Sequence, residues 1–139
     1  MDAGDQERVM ATAEALNAQA GQLVWAGTTW KTVAEAAKAA GVPIREVQDW
    51  IRDRRVIALQ RDGVVLLPSY EFGADGMPLP VLATVMAEFN GMYDDMSVAA
   101  FFESRSSFLR GLRPREIVTS DPDQVAAAAK FDVDTAKYP

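Results

Sequence analysis

Residues 31–68 read KTVAEAAKAAGVPIREVQDWIRDRRVIALQRDGVVLLP, and this stretch decides the fold. Thr32 can cap a helix that runs to Ala40, and Glu35 follows it at the spacing of a capping box. Gly41 predicts the end of that helix, because a residue without a side chain turns the chain sharply at low cost. With a second helix directly after the turn, the pattern predicts a helix-turn-helix.

The second helix is predicted to begin at Pro43, since proline suits a first helical turn, and to run to about Asp53. The residues that face inward from the two helices are small or apolar: Val33, Ala36, Ala37, Val42, Val47, Trp50 and Ile51. The outward face of the second helix is left with Arg45, Glu46, Gln48, Asp49 and Arg52. Arginine and glutamine suit the edges of guanine and adenine in the major groove of DNA.

A β-hairpin is predicted next, because residues 56–60 and 64–67 are apolar runs on either side of Arg61-Asp62-Gly63. An Asp-Gly turn between two such runs is a strong hairpin signal. We interpret this hairpin as the wing of a winged helix-turn-helix.

Histidine and cysteine are both absent from the 139 residues. Their absence removes the usual general base, the thiolate nucleophile and two common metal ligands. We therefore expect no metal, no cofactor and no enzyme. We also expect no membrane association and a cytoplasmic location, because no disulfide, signal peptide or apolar run of roughly 18 residues is present.

The charge is unevenly distributed along a chain whose net charge is −6. Residues 28–70 hold seven Lys/Arg against five Asp/Glu and are net positive. Residues 1–27 and 71–139 are both net negative. A local positive segment on an acidic protein favours a confined nucleic-acid contact over non-specific coating.

Residues 73–80 (GADGMPLP) are rich in Gly and Pro and mark a predicted boundary between residues 1–72 and residues 73–139. Before the hairpin, a helix is expected over residues 5–20, ended by Gly21, followed by an apolar linker over residues 22–29. Beyond the boundary, helices are predicted over residues 81–90 (ended by Gly91), 97–104 (capped by Asp94 or Asp95), 113–118 and 122–131. The predicted fold class is mainly α with a small β-hairpin wing, a winged helix-turn-helix followed by a small helical module.

The segment TVAEAAKAAGVPIREVQDWIRDRRVIAL resembles the winged helix-turn-helix of the MerR-like and excisionase-like families. This resemblance implies double-stranded DNA as a partner, bound by a homodimer. The predicted DNA-binding residues are Arg45, Gln48, Arg52, Arg54, Arg55 and Arg61. The alternative is a helix-turn-helix used only for protein contacts, which the outward acids Glu46 and Asp49 keep open.

Residues 97–131 (SVAAFFESRSSFLRGLRPREIVTSDPDQVAAAAKF) resemble the toxin-binding domain of the Xre/MbcA/ParS antitoxins. The matching positions are Phe101, Phe102, Leu109, Gly111, Arg113, Pro114, Ile117, Val118, Val125 and Ala129. The sequence departs from the pattern at Arg105-Ser106-Ser107, where that family often has Pro-Asn. The resemblance implies a protein partner, with a RES-type toxin as the candidate. The predicted partner-binding residues are Phe102, Arg105, Phe108, Leu109, Arg110 and Arg113.

Three functions follow from these patterns. The first is a DNA-binding transcriptional regulator that acts as the antitoxin of a toxin-antitoxin pair. The second is a stand-alone regulator, since actinobacterial regulators that the chain also resembles join a winged helix-turn-helix to a small helical domain. The third is a small enzyme based on the pairs Asp94–Asp95 or Asp121–Asp123, but acids beside helix starts are expected as caps.

Overall fold

A computed structural model describes residues 21–90 and 93–137 of the chain. Helices predominate, and a small antiparallel sheet lies among them, so the predicted fold class is confirmed. The helix expected over residues 5–20 lies outside the described residues, and so does Gly91, which was expected to end the helix over residues 81–90. Among the described helices, none combines the length and the apolar character that crossing a membrane requires.

The sheet and the helices alternate along the first half of the chain, and helices alone form the second half. The elements are β1 (Trp30–Thr32), α1 (Val33–Ala40), α2 (Ile44–Arg52), β2 (Leu59–Arg61), β3 (Val64–Pro68), a 3-10 helix (Ser69–Glu71), α3 (Pro80–Glu88), α4 (Asp95–Glu103), α5 (Pro114–Ile117) and α6 (Pro122–Lys137).

The α1–α2 pair forms as its local signals predict. Thr32 and Glu35 make the reciprocal hydrogen bonds of a capping box, at 3.0 and 3.1 Å, which satisfy N–H groups that the helix itself leaves unpaired. Gly41 ends α1 in the left-handed region, with φ of 68°. Pro43 is the residue before α2 rather than its first helical residue.

The sheet has a strand that the sequence did not predict. β1 pairs with β3, which also pairs with β2, so the order is β1-β3-β2 and all neighbours are antiparallel. The hairpin itself is confirmed, although residues 56–58 precede its first strand instead of belonging to it. Its turn is Asp62-Gly63, with φ of 53° and 78°, the pair of positive values that a tight primed hairpin turn requires.

Several helix boundaries differ from the predicted ones. Residues 21–26 are helical, so Gly21 does not end the first helix and the linker expected over residues 22–29 is helical in its first part. The last helix continues to Lys137 rather than stopping near Phe131, because its apolar face extends to Val133, which is 3% exposed.

Two hydrophobic clusters form the core. The smaller one lies under the helix-turn-helix and contains Ala36, Ala37, Val47, Trp50, Val56, Leu67 and Phe72. The larger one joins Val24, Ile57 and Leu59 from the first half of the chain to α3, α4 and α6. The helix-turn-helix and sheet therefore rest directly on the C-terminal helices.

Two fully buried carboxyl groups lie among these elements. Glu71 accepts a 2.6 Å hydrogen bond from the N–H of Ile57, and Glu103 accepts one of 2.7 Å from Nε of Arg115. Burial raises the pKa of Glu71 well above its usual range, and this outweighs the hydrogen bond from Ile57, which lowers the pKa. No cation among the described residues pairs with Glu71, so no opposite charge offsets the cost of burying its ionised form.

The backbone at Gly27 packs directly against the carboxyl group of Glu103, with no room for a Cβ. At Gly21, by contrast, no described atom lies within 4 Å of the position that a Cβ would take. The contact at Gly27 brings the end of the N-terminal helical segment close to α4.

Replacing Gly27 by Ala is expected to lower the free energy of unfolding by about 1–3 kcal/mol, because the methyl group displaces a buried carboxyl group. Urea denaturation followed by tryptophan fluorescence measures the change. Gly21→Ala is the matched control and is expected to raise stability by up to about 1 kcal/mol, since Ala favours the helix. Equal stabilities of the two variants would contradict the close packing at Gly27.

Replacing Glu71 by Gln is expected to change how stability depends on pH. A carboxyl whose pKa is raised by folding contributes most when it is protonated, and the contribution is lost as pH rises toward the folded-state pKa. As pH rises above the usual pKa range of glutamate, the free energy of unfolding should therefore fall in the wild type relative to Glu71→Gln.

The control for this pH series is Glu35→Gln. The hydrogen bonds from Thr32 lower the pKa of Glu35, so its contribution to stability is lost only as pH falls through the acid range. Parallel stability curves for the wild type and Glu71→Gln above pH 5 would show that Glu71 is ionised in the folded protein.

Candidate nucleic-acid interface

Helix α2 is anchored on one face and open on the other. Val47 and Trp50 are 0% and 1% exposed, and Trp50 packs against Phe72 with ring centroids 6.2 Å apart. Arg45 and Gln48 are exposed on the opposite face. The inward and outward faces of α2 are therefore those that the sequence predicts.

Arg52, at the end of α2, is held by two carboxylates on its own segment. It lies 2.9 Å from Asp49 and 3.2 Å from Asp53, and the hydrogen bond to Asp53 is the main reason that the pKa of its guanidinium is raised. Arg52 and Asp53 are largely exposed and Asp49 is half-buried, so these pairs add little to stability. They do neutralise much of the positive charge at this end of α2.

Arg45 and Arg55 line one shallow groove of about 420 Å³ beside α2. The same groove is lined by the acids Glu46, Asp49 and Asp53. Among the described residues, neither Arg45 nor Arg55 forms an ion pair. The groove therefore combines free guanidinium donors with carboxylate acceptors, which can discriminate between base edges as well as bind phosphate.

Arg54 is placed differently from the other predicted DNA-binding residues. It adopts a φ of 56°, and its Nη1 lies 3.4 Å from Oδ1 of Asp95 on α4. The other carboxylate oxygen of Asp95 accepts a 3.2 Å hydrogen bond from the N–H of Ala58. In this structure Arg54 therefore ties the end of the helix-turn-helix to α4, a role that the sequence did not predict.

Arg61 lies at the wing, on the last residue of β2. Its guanidinium carbon is 5.1 Å from the ring centroid of Trp25, which is the geometry of a cation–π contact. Trp25 in turn packs on Trp30, with centroids 4.5 Å apart. The wing arginine is thus supported by the N-terminal helical segment, and its neighbour Val64 is 47% exposed.

Sequence reasoning missed Ile44, the first residue of α2, which is 49% exposed. It was overlooked because an isoleucine beside an apolar face is expected to be buried. An apolar side chain at this end of a helix can contact the methyl group of thymine. The only signal in the sequence was its position directly after Pro43.

The two acid pairs considered for an enzyme are Asp94–Asp95 and Asp121–Asp123. The first pair is engaged in structural contacts, and the second is exposed. Asp94 caps α4 by accepting a 2.9 Å hydrogen bond from the N–H of Ser97, which lowers the pKa of its carboxyl, and Asp95 binds Arg54. Asp121 and Asp123 are exposed at the start of α6. Within the described part of the chain, no three acidic residues are arranged to hold a metal ion.

The predicted partner-binding residues separate into two groups. Phe102 is 0% and Leu109 5% exposed, so both belong to the core and are not available to a partner. Phe102 is buried because α4 turns its aromatic residues toward α3 and Tyr70, and Leu109 packs into the same cluster from the connection that follows α4. Arg113 donates from Nε to the carbonyl oxygen of Glu103 at 3.0 Å and is half-buried.

Arg105, Phe108 and Arg110 form the second group, and all three are exposed. They lie in the connection between α4 and α5. The structure therefore exposes one apolar and two basic side chains of the predicted set on this connection, and partner binding by them stays a prediction.

Comparisons with known proteins agree with the architecture of the first half of the chain. Residues 20–72 match the family model described as "DNA-binding protein Rv2175c, wHTH domain". A search of curated proteins gave no match. Among solved structures, the NMR structure of Rv2175c is similar, with a TM-score of 0.59 and 20% sequence identity over 79% of this chain and 80% of that chain.

The family model covers the region from the N-terminal helical segment to the 3-10 helix, and the structural similarity extends well into the C-terminal helices. The residues matched by the family model therefore include α2, the hairpin and the elements that pack against them. Residues 21–72 therefore have the fold of a winged helix-turn-helix and are similar to the corresponding domain of Rv2175c.

Proposed function

We propose that this chain is a DNA-binding transcriptional regulator whose helix α2 enters the major groove. The observation that carries the proposal is the outward face of α2, where Arg45 and Gln48 are exposed on a helix fixed from below by Trp50. The N-terminal half of a recognition helix is the part that reaches base edges. The matched family is described as DNA-binding, which supports the same conclusion.

Recognition is expected to depend on base contacts more than on charge. The acids Glu46 and Asp49 reduce the attraction of α2 for phosphates, and the whole chain carries −6. A carboxylate near a base edge can accept a hydrogen bond from cytosine N4, so these acids can add selectivity while they weaken non-specific binding. Arg55 and Arg61 are the residues best placed for phosphate contacts.

The DNA-binding test begins with selection of bound sequences from a random duplex library by the full chain. On the selected duplex, Arg45→Ala and Gln48→Ala should each weaken binding by about 1–3 kcal/mol, roughly 5- to 150-fold, because each removes a base-edge contact. Fluorescence anisotropy at low salt measures the dissociation constants. Asn90→Ala, which removes an exposed amide side chain just after α3, is the matched control and should bind like the wild type.

Salt provides a second readout in the same experiment. Each phosphate that the protein neutralises contributes about −0.9 to the slope of log affinity against log salt. Arg55→Ala should reduce that slope by about one, whereas Gln48→Ala should leave it unchanged. The proposal is contradicted if no duplex is enriched, or if a variant lacking Arg45, Gln48 and Arg55 binds as tightly as the wild type.

A second candidate function is that of an antitoxin, in which the same regulator also binds and blocks a toxin. The observation that favours it is the exposed connection between α4 and α5, where Phe108 is 39% exposed beside Arg105 and Arg110. An apolar centre with an arginine rim is common at protein interfaces. A RES-type toxin is the candidate partner, because residues 97–131 resemble the toxin-binding domain of such antitoxins.

The antitoxin function is tested by coexpressing the full chain with the product of the adjacent gene and measuring growth of the host. An antitoxin restores growth, and Phe108→Ser is expected to abolish this protection. Leu23→Ser, another exposed apolar position, is the control and should still protect. If the neighbouring product is harmless, the chain is a stand-alone regulator.

A further inference from the structure

An exposed apolar patch lies on the C-terminal helices, and we call it the 108–131 patch. It consists of Phe108, Leu112 and Phe131, which are 39%, 44% and 45% exposed. The rings of Phe108 and Phe131 are in contact, with centroids 5.3 Å apart. Exposed apolar patches of this kind are often interaction surfaces.

The connection that presents Phe108 and Leu112 is closed by backbone hydrogen bonds. Its two ends are joined by a 3.0 Å hydrogen bond from the N–H of Ser106 to the carbonyl of Leu112, and Gly111 donates to Ser106 at 2.8 Å. Arg110, at its tip, has a φ of 59°, a left-handed conformation that residues other than glycine seldom adopt. The loop is thus preorganised, which lowers the entropy lost when it binds.

A groove of about 590 Å³ adjoins the patch and has two walls. One wall is the 108–112 loop with Arg110, and the other is the start of α6 with Asp121. The apolar residues Leu112 and Ile117 also line the groove. Within residues 21–90 and 93–137, neither Arg110 nor Asp121 forms an ion pair.

From this charge pattern we infer that the 108–131 patch and its groove bind a second copy of this chain, forming a two-fold dimer. In a two-fold interface the same surface meets itself, so residue i of one copy faces residue j of the other and the reverse contact also forms. Arg110 of each copy then pairs with Asp121 of the partner copy. A surface with charges of a single sign would repel its own copy. Here the arginine wall of each copy faces the aspartate wall of the other copy, so the interface contains two attractive charge pairs.

The sequence around Phe131 has the same mixed character, since Lys130 precedes it and Asp132 follows it. An acidic partner would be expected if the rim carried only arginines, but this rim also carries aspartates. The same aspartates would repel nucleic acid. The inference does not depend on DNA binding, although a dimer would place two α2 helices on two half-sites of an operator.

The test is a charge exchange measured by sedimentation equilibrium on the full chain, at concentrations up to about 1 mM. The wild type is expected to be a dimer. Arg110→Asp and Asp121→Arg should each raise the dimer dissociation constant about 10-fold or more, because each places two like charges in contact across the interface. The double variant should restore dimerisation, since both pairs re-form with their signs exchanged.

Aspartate is a suitable replacement for Arg110 because it tolerates the left-handed backbone better than most residues. Circular dichroism and thermal unfolding check that each variant is folded. Phe108→Ser should also weaken the dimer, and Leu23→Ser, which removes exposed apolar surface elsewhere, should leave the dissociation constant unchanged.

A wild type that stays monomeric up to about 1 mM overturns the inference and leaves the patch to a different protein, such as a toxin. Single charge reversals without effect, or a double variant that is not restored, overturn it as well. The DNA-binding proposal is judged separately. A dimer that binds no duplex refutes that proposal alone, and a monomer that binds a selected duplex refutes the dimer alone.

Discussion

The close crossing of α1 and α2 is the contact on which the candidate site depends. Ala36 and Ala37 are small enough for α2 to approach, and Trp50 fills the space between the helices and Phe72. Trp50 is 1% exposed, so its position fixes the rotation of α2 about its own axis. That rotation directs Arg45 and Gln48 outward and places the acids of the helix beside them.

The end of α2 is connected to the C-terminal helices through residues 54–58. Arg54 and the N–H of Ala58 both bind Asp95, at 3.4 and 3.2 Å, and the N–H of Ile57 binds the buried Glu71. Ile57 itself is 0% exposed in the larger cluster. The C-terminal helices therefore hold the helix-turn-helix at a defined orientation relative to the 108–131 patch, so a dimer through that patch would set the spacing of the two α2 helices.

The parts of the fold that the sequence predicts are those governed by neighbouring residues. The capping box of Thr32 and Glu35, the turn at Gly41 and the Asp62-Gly63 hairpin each depend on contacts within a few positions. Strand β1 was missed because its pairing with β3 joins residues more than 30 positions apart, and three residues alone carry no strand signal. The boundary predicted at residues 73–80 stays a prediction, while the larger core contains side chains from both sides of it.

In the candidate nucleic-acid interface, too, only the features that depend on neighbouring residues could be predicted. The exposure of Arg45, Gln48 and Arg52 follows from helical periodicity. The pairing of Arg54 with Asp95 could not be predicted, because 41 positions separate the two residues. The burial of Phe102 and Leu109 was missed for a related reason: an apolar residue near an arginine cluster fits a core and an interface equally well until its neighbours are known.

NMR titration of the isotope-labelled full chain with a selected DNA duplex tests the central claim most directly, since it shows which amides sense the nucleic acid. The account predicts that the largest changes in amide chemical shift fall on residues 44–52 of α2 and on the wing around Arg61 to Val64. Residues of α6 outside the 108–131 patch should show no change. Largest shifts on the C-terminal helices, or none on α2 at saturation, would contradict a recognition role for α2.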